Sequence, residues 1–127
     1  MTKALRYWLP LAAWMVLIYV LSDRSDIPGV QNGILDLVFK KAMHATGYAV
    51  LAWLWWRALT AAGVGRAAPW AFVLTIAYAV TDEWHQTWVV GRTGRATDVL
   101  IDAVGAAVAL RLATRGVKAP TRDGPRL

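Results

Sequence analysis

Cysteine is missing from this sequence altogether, which excludes disulfide staples and thiolate-bound metal. Charge is scarce too. Asp, Glu, Lys and Arg together make up 17% of the 127 residues, against 57% for hydrophobic types. A soluble domain is about one quarter charged and about one half apolar, so this chain is too apolar for an ordinary soluble domain of its size. Acids are the rarer charge, 8 against 14 basic residues, for a net charge of +6. A basic balance can signal nucleic acid. Here, however, Lys and Arg sit at the ends of apolar runs and in the C-terminal stretch, which suits anionic lipid headgroups instead. The expected partners are membrane lipids, with no nucleic acid and no cofactor.

What the sequence does have is four apolar runs. The first extends from about Leu5 to Leu21, with Arg6 at its start. The second, from about Ala42 to Ala62, is interrupted by His44 and Arg57. The third, from about Ala67 to Val80, continues as helix through an acidic cluster to about Trp88. The fourth, from about Val99 to Ala113, contains Asp102 and Arg111. A spanning helix needs about 20 residues. The first two runs meet that length directly, and the last two meet it once their polar ends are counted. A cleavable leader is the alternative for the first run, because Lys3 and Arg6 precede an apolar core. Its length, and the three runs that follow, favour a retained span. Trp8, Trp55, Trp56 and Trp70 mark one boundary, and Trp84 and Trp88 the other, as an interfacial aromatic belt would. Between the first two runs, Pro28 and Gly29 signal a turn. A short amphipathic helix is expected after it, with Ile34, Leu35, Val38 and Phe39 on one side. The fold class is therefore all-α, a polytopic membrane protein with a bundle of four transmembrane helices over residues 1–115. Residues 116–127 read as a disordered basic tail.

Four crossings put Lys3, Arg6, Arg57, Arg66, Arg111, Arg115, Lys118, Arg122 and Arg126 on one side. Arg24, Lys40, Lys41, Arg92 and Arg95 fall on the other, so both termini are expected in the cytoplasm. Acids divide more sharply, since only Asp123 falls on the cytoplasmic side. Helical spacing explains where the others go. Lys41, His44 and Tyr48 share one face of the second helix, at i, i+3 and i+7. Tyr78, Asp82, His85 and Gln86 share a face of the third, with Glu83 rotated by about 100° from Asp82. Asp98, Asp102 and Gly105 align on the fourth. All three sets lie near the outer mouth of the bundle, and Arg92 hangs above them in the connection. Each side chain also has an ordinary structural reading. Lys41 and Arg92 can snorkel to headgroups, tyrosines and a lone histidine can simply pack, and Gly105, Ala106 and Ala109 suit close helix contact. A cluster of this density in an apolar bundle nevertheless marks a functional site.

Taken in order, "KAMHATGYAVL", "AYAVTDEWHQ", "GR" and "DVLIDAVGA" resemble the VanZ-like family of small bacterial membrane proteins. The family pattern is Lys-x-x-His, then Asp-Glu-x-x-Gln, an arginine, and Asp-x-x-x-Asn-x-x-Gly. The resemblance covers about Leu5 to Leu112, and one departure stands out: Asp102 occupies the place of the asparagine. It implies residence in the bacterial cytoplasmic membrane and, for the founding member, resistance to the glycopeptide teicoplanin.

Adjacent carboxylates and a histidine in a low-dielectric pocket acquire the displaced pKa values that a general acid and base need. His44, Asp82, Glu83 and Asp98 are the expected catalytic residues, with Glu83 or Asp82 as base and Asp98 orienting His44. Lys41, Tyr48, Gln86, Arg92 and Asp102 are expected to bind a lipid-linked or cell-envelope substrate. A metal held by His44, Asp82, Glu83 and Asp98 is chemically conceivable, but no spacing is diagnostic of one, so no metal is expected. The alternatives are a non-catalytic binder or small transporter of a lipophilic ligand or antibiotic, and a scaffold whose polar cluster ties the helices together.

Overall fold

The computed structural model describes residues 2–22, 33–86, 88 and 96–115. They form four helices, α1 (Lys3–Ser22), α2 (Gly33–Ala61), α3 (Ala67–Gln86) and α4 (Ala96–Arg115), with no strand among the described residues. The all-α expectation holds. At about 1.5 Å of rise per residue, the three 20-residue helices are about 30 Å long, and α2, with 29 residues, is longer.

The separate amphipathic helix expected before the second run does not exist as such. Ile34, Leu35, Val38 and Phe39 are the exposed first turns of α2, which continues unbroken to Ala61. No proline or glycine lies between Ile34 and Thr46, and Lys40, Lys41, Ala42 and Met43 are all strong helix formers. Nothing is there to stop the helix. At its far end the chain turns sharply. Gly63 adopts φ 79°, its N–H reaches the Thr60 carbonyl (3.1 Å), and the Val64 N–H reaches Leu59 (3.0 Å). This is a Schellman C-cap, and the left-handed residue is the glycine that tolerates it.

Cross-helix contacts fix the directions. Arg57 Nη2 donates to the Arg6 carbonyl (3.1 Å), Trp8 packs edge-on to Trp55, and Trp14 Nε1 donates to the Gly47 carbonyl (2.9 Å). As α1 rises α2 falls, so these two are antiparallel. Tyr78 donates to the Met15 carbonyl (2.6 Å) and Tyr19 packs on His85, so α3 runs alongside α1 in the same sense. Lys41 meets Asp98, His44 meets Asp102 and Ala45 meets Gly105, so α4 runs parallel to α2. The result is an up-down-up-down bundle in which α2 packs most extensively on α4.

Pro10 lies inside α1 and has no N–H to give the Arg6 carbonyl. Arg57 supplies the donor instead, and its guanidinium also covers the rings of Tyr7 and Trp53. The interior joins Leu11, Tyr48, Leu51, Leu54, Ala58 and Ala79 in one cluster and Ala52, Leu59, Ala71, Ala106 and Leu110 in another. The outside is apolar as well. On α4 the exposed stripe is Leu100, Val104, Val108 and Leu112, while Asp102 is fully buried. By length and composition alone, one helix among the described residues, Lys3–Leu21, is apolar enough to cross a membrane.

Candidate functional site

Three helices bring ionisable groups to one end of the bundle. α2 carries Lys41, His44 and Tyr48 down one face over about 10 Å at 1.5 Å per residue. α4 runs parallel to it, so Asp98 and Asp102 descend beside that face. α3 climbs from the opposite end and delivers Asp82 and Glu83. Asp98 also lies in the first turn of α4, where the helix dipole favours a negative charge.

The groups form three tiers. At the mouth Lys41 Nζ pairs with Asp98 Oδ1, both partly exposed. One turn deeper, His44 Nδ1 stands 3.4 Å from Asp102 Oδ1. That is ion-pair range but too long for a well-formed N–H···O bond. Glu83 borders the same space, and one ligand atom from each of His44, Glu83 and Asp102 lies within 4.8 Å of the others. Deeper again, the Tyr48 hydroxyl donates to Asp82 Oδ2 (2.7 Å) in a buried bond, while the Tyr48 ring stacks on His44 at 13° between planes. Tyr78 leans against Tyr48 from α3.

Asp82, Glu83 and Asp102 are all buried, and Asp102 is completely so. A carboxylate removed from water is costly unless partners satisfy it. Tyr48 serves Asp82 and Lys41 serves Asp98. Among the described residues neither oxygen of Asp102 accepts a hydrogen bond, and His44 Nδ1 lacks one as well.

Seven of the nine predicted site residues therefore have a described place. Lys41, His44, Tyr48, Asp82, Glu83, Asp98 and Asp102 converge as expected. Gln86 ends α3, with its side chain outside the described residues, and Arg92 lies outside them altogether. The internal pairing differs from the sequence expectation in one respect. Asp98 is turned to Lys41, and the carboxylate beside His44 is that of Asp102. Parallel packing of α2 and α4 sets this, because it matches the outer pair of residues to each other and the inner pair to each other. Gly105 fixes the register, since a Cβ there would overlap the Ala45 carbonyl. Sequence reading names Glu83 as a catalytic base but groups it with Asp82 and Asp98, whereas the structure groups it with His44 and Asp102; its offset from the Asp82 face is the visible signal. A shallow groove between α2 and α4, lined by Ala49, Val50, Trp53, Ala109, Leu112 and Ala113, lies farther along the bundle and is apolar.

This arrangement offers a histidine flanked by two buried carboxylates, a fixed tyrosine–aspartate pair and a lysine at the entrance. Such a set can move protons and hold an anionic group near the opening. The family model described as VanZ/LLP1 matches residues 5–116. No curated protein and no solved structure matches the chain. The chain belongs to the VanZ/LLP1 family.

Proposed function

We propose that this member of the VanZ/LLP1 family is a polytopic protein of the bacterial cytoplasmic membrane whose polar pocket opens at the outer face. There it acts by acid–base chemistry on a lipid-linked or cell-envelope substrate, a role that would link it to glycopeptide resistance of the teicoplanin type. The bundle's inverted polarity supports the membrane part. Large apolar side chains cover the outside of all four helices, while aspartates, a glutamate and a tyrosine are buried within. Helices of about 30 Å match the hydrocarbon thickness of a bilayer. Among the described residues only Lys3–Leu21 is apolar enough by composition to cross a membrane, and in α3 and α4 the buried Asp82, Glu83 and Asp102 lower the mean hydropathy while the outward side chains stay apolar.

The observation that carries the catalytic part is the middle tier, His44 between Asp102 and Glu83, one turn below an opening guarded by Lys41 and Asp98. In this reading Glu83 accepts a proton from the attacking group and His44 returns one to the leaving group. Asp102 positions the imidazole, and Lys41, once released from Asp98, meets a phosphate or carboxylate of the substrate. A proton-coupled transporter needs polar groups near the bilayer midplane reached alternately from both sides; here they gather at one mouth.

The decisive comparison is mass spectrometry of envelope lipids and precursors from cells carrying wild-type protein or Glu83→Gln. A covalent change in one species with wild type, lost in Glu83→Gln at equal membrane abundance, is the expected result. Identical species in both strains, with a ligand co-purifying, would replace the enzyme with a binder.

A further inference from the structure

We infer that His44, Glu83 and Asp102 form a binding site for one divalent transition-metal ion of the zinc type. The inference deepens the proposed function and shares its residues, since an ion held there would take over from Glu83 and His44 the activation of the attacking group. Metal binding is nevertheless measurable with no substrate and no reaction, so it fails or stands apart from the enzyme reading.

Two independent observations carry it. One is the grouping itself: three helices each place one nitrogen or oxygen donor so that all lie within 4.8 Å. The other is the state of Asp102. Its side chain is wholly buried and points into the group, yet neither carboxylate oxygen has a hydrogen-bond partner. The other two aspartates of the cluster have theirs, from Tyr48 and Lys41. A fully buried carboxylate whose nearest partner is His44 at ion-pair distance, with no hydrogen bond on either oxygen, is costly, and a cation among these donors reduces the cost.

The donor types and the one close pair favour a tetrahedral ion. His44 Nδ1 and Asp102 Oδ1 are 3.4 Å apart. Zinc binds nitrogen and carboxylate oxygen at about 2.0–2.2 Å in tetrahedral geometry, which separates neighbouring donors by about 3.4 Å. Octahedral magnesium at about 2.1 Å would bring them to about 3.0 Å, and calcium requires at least about six oxygens. Imidazole with carboxylates also favours zinc over the harder cations. Glu83 supplies the third donor, and three protein ligands would leave a fourth tetrahedral position for water or substrate. Two carboxylates and a dication sum to neutrality, which suits an apolar bundle. Tyr48 and Asp82 lie behind this set, with the Tyr48 ring nearly parallel to that of His44 and its hydroxyl bonded to Asp82.

The test uses the full chain purified in detergent, stripped with EDTA and titrated with zinc chloride. Metal content and affinity are measured alongside helical circular dichroism. One zinc per chain is expected for wild type. Asp102→Asn, which preserves volume, should weaken binding by at least about 100-fold, and Glu83→Gln should do likewise. Asp98→Asn should keep one zinc per chain, because Asp98 belongs to the Lys41 pair. X-ray absorption should show only nitrogen and oxygen ligands at about 2.0–2.1 Å. Should Asp102→Asn not fold, the visible spectrum of cobalt-loaded wild type decides, with intense tetrahedral bands expected. Wild type that retains no zinc, zinc binding unaffected by Asp102→Asn in folded protein, or a weak octahedral cobalt spectrum would overturn the inference.

Discussion

Tyr48 joins two elements and two chemistries. Its ring is almost completely buried against His44 and Tyr78, and its hydroxyl is the donor that serves Asp82. Removing that hydroxyl leaves a buried carboxylate oxygen without its bond, which costs about 1–3 kcal/mol. Tyr48→Phe should therefore lower the thermal unfolding midpoint in detergent, whereas Tyr78→Phe, which frees only the second lone pair of a main-chain carbonyl, should lower it less. A midpoint unchanged in Tyr48→Phe would mean that Asp82 does not depend on this bond. At this scale the sequence was informative about which residues share a face and uninformative about who pairs with whom. Spacings of three, four and seven residues put Lys41, His44 and Tyr48 in line, because helical rotation is a property of one chain segment. Whether His44 meets Asp98 or Asp102 depends on how two helices slide past each other, and that offset is set by packing.

Among the elements, α2 and α4 settle that offset through Gly105. Its missing side chain lets the Ala45 carbonyl approach, with the neighbouring carbonyl carbon about where a Cβ contact would already be tight. Ala106 and Leu110 complete the buried face of α4. Gly105→Ala has no flexible atom to displace, only helix backbone. It should destabilise the bundle by about 1–3 kcal/mol, as overpacking does, and separate the Lys41–Asp98 and His44–Asp102 pairs as well. Thermal unfolding reads the first effect. Zinc affinity, which should fall in Gly105→Ala but not in Gly47→Ala, reads the second, because a Cβ at Gly47 meets open space. The small residues after Asp102 foretold close packing in the sequence. The length of α2 was harder to read. Its amphipathic opening looks like a separate surface helix, because hydrophobic pattern reports what surrounds a helix and not where its backbone stops.

For the whole molecule the question is which solvent each surface meets. A chain with buried aspartates and an exposed stripe of Leu100, Val104, Val108 and Leu112 would aggregate in water. In lipid the same stripe is at rest, and the buried polar groups are the expensive ones. Hydropathy along the sequence cannot separate these cases for α3 and α4, because it averages inward carboxylates with outward valines. Among the described residues only α1, with Arg6 and Lys3 confined to its start, passes on composition. The up-down-up-down directions make a strict prediction once the bundle spans. Thr2 and the Val64 turn must share one side of the membrane, and Trp88 the other. The natural sequence has no cysteine, so single substitutions Thr2→Cys, Val64→Cys and Trp88→Cys can be labelled without background. With an impermeant maleimide, Trp88→Cys should react in intact cells, whereas Thr2→Cys and Val64→Cys should react only after permeabilisation, in keeping with the Lys and Arg excess on their side. Labelling of Val64→Cys and Trp88→Cys from the same side would remove α3 as a span and take the outward-facing pocket with it. Because α3 carries Asp82 and Glu83 to the mouth, this one helix decides whether the polar tiers face the envelope at all.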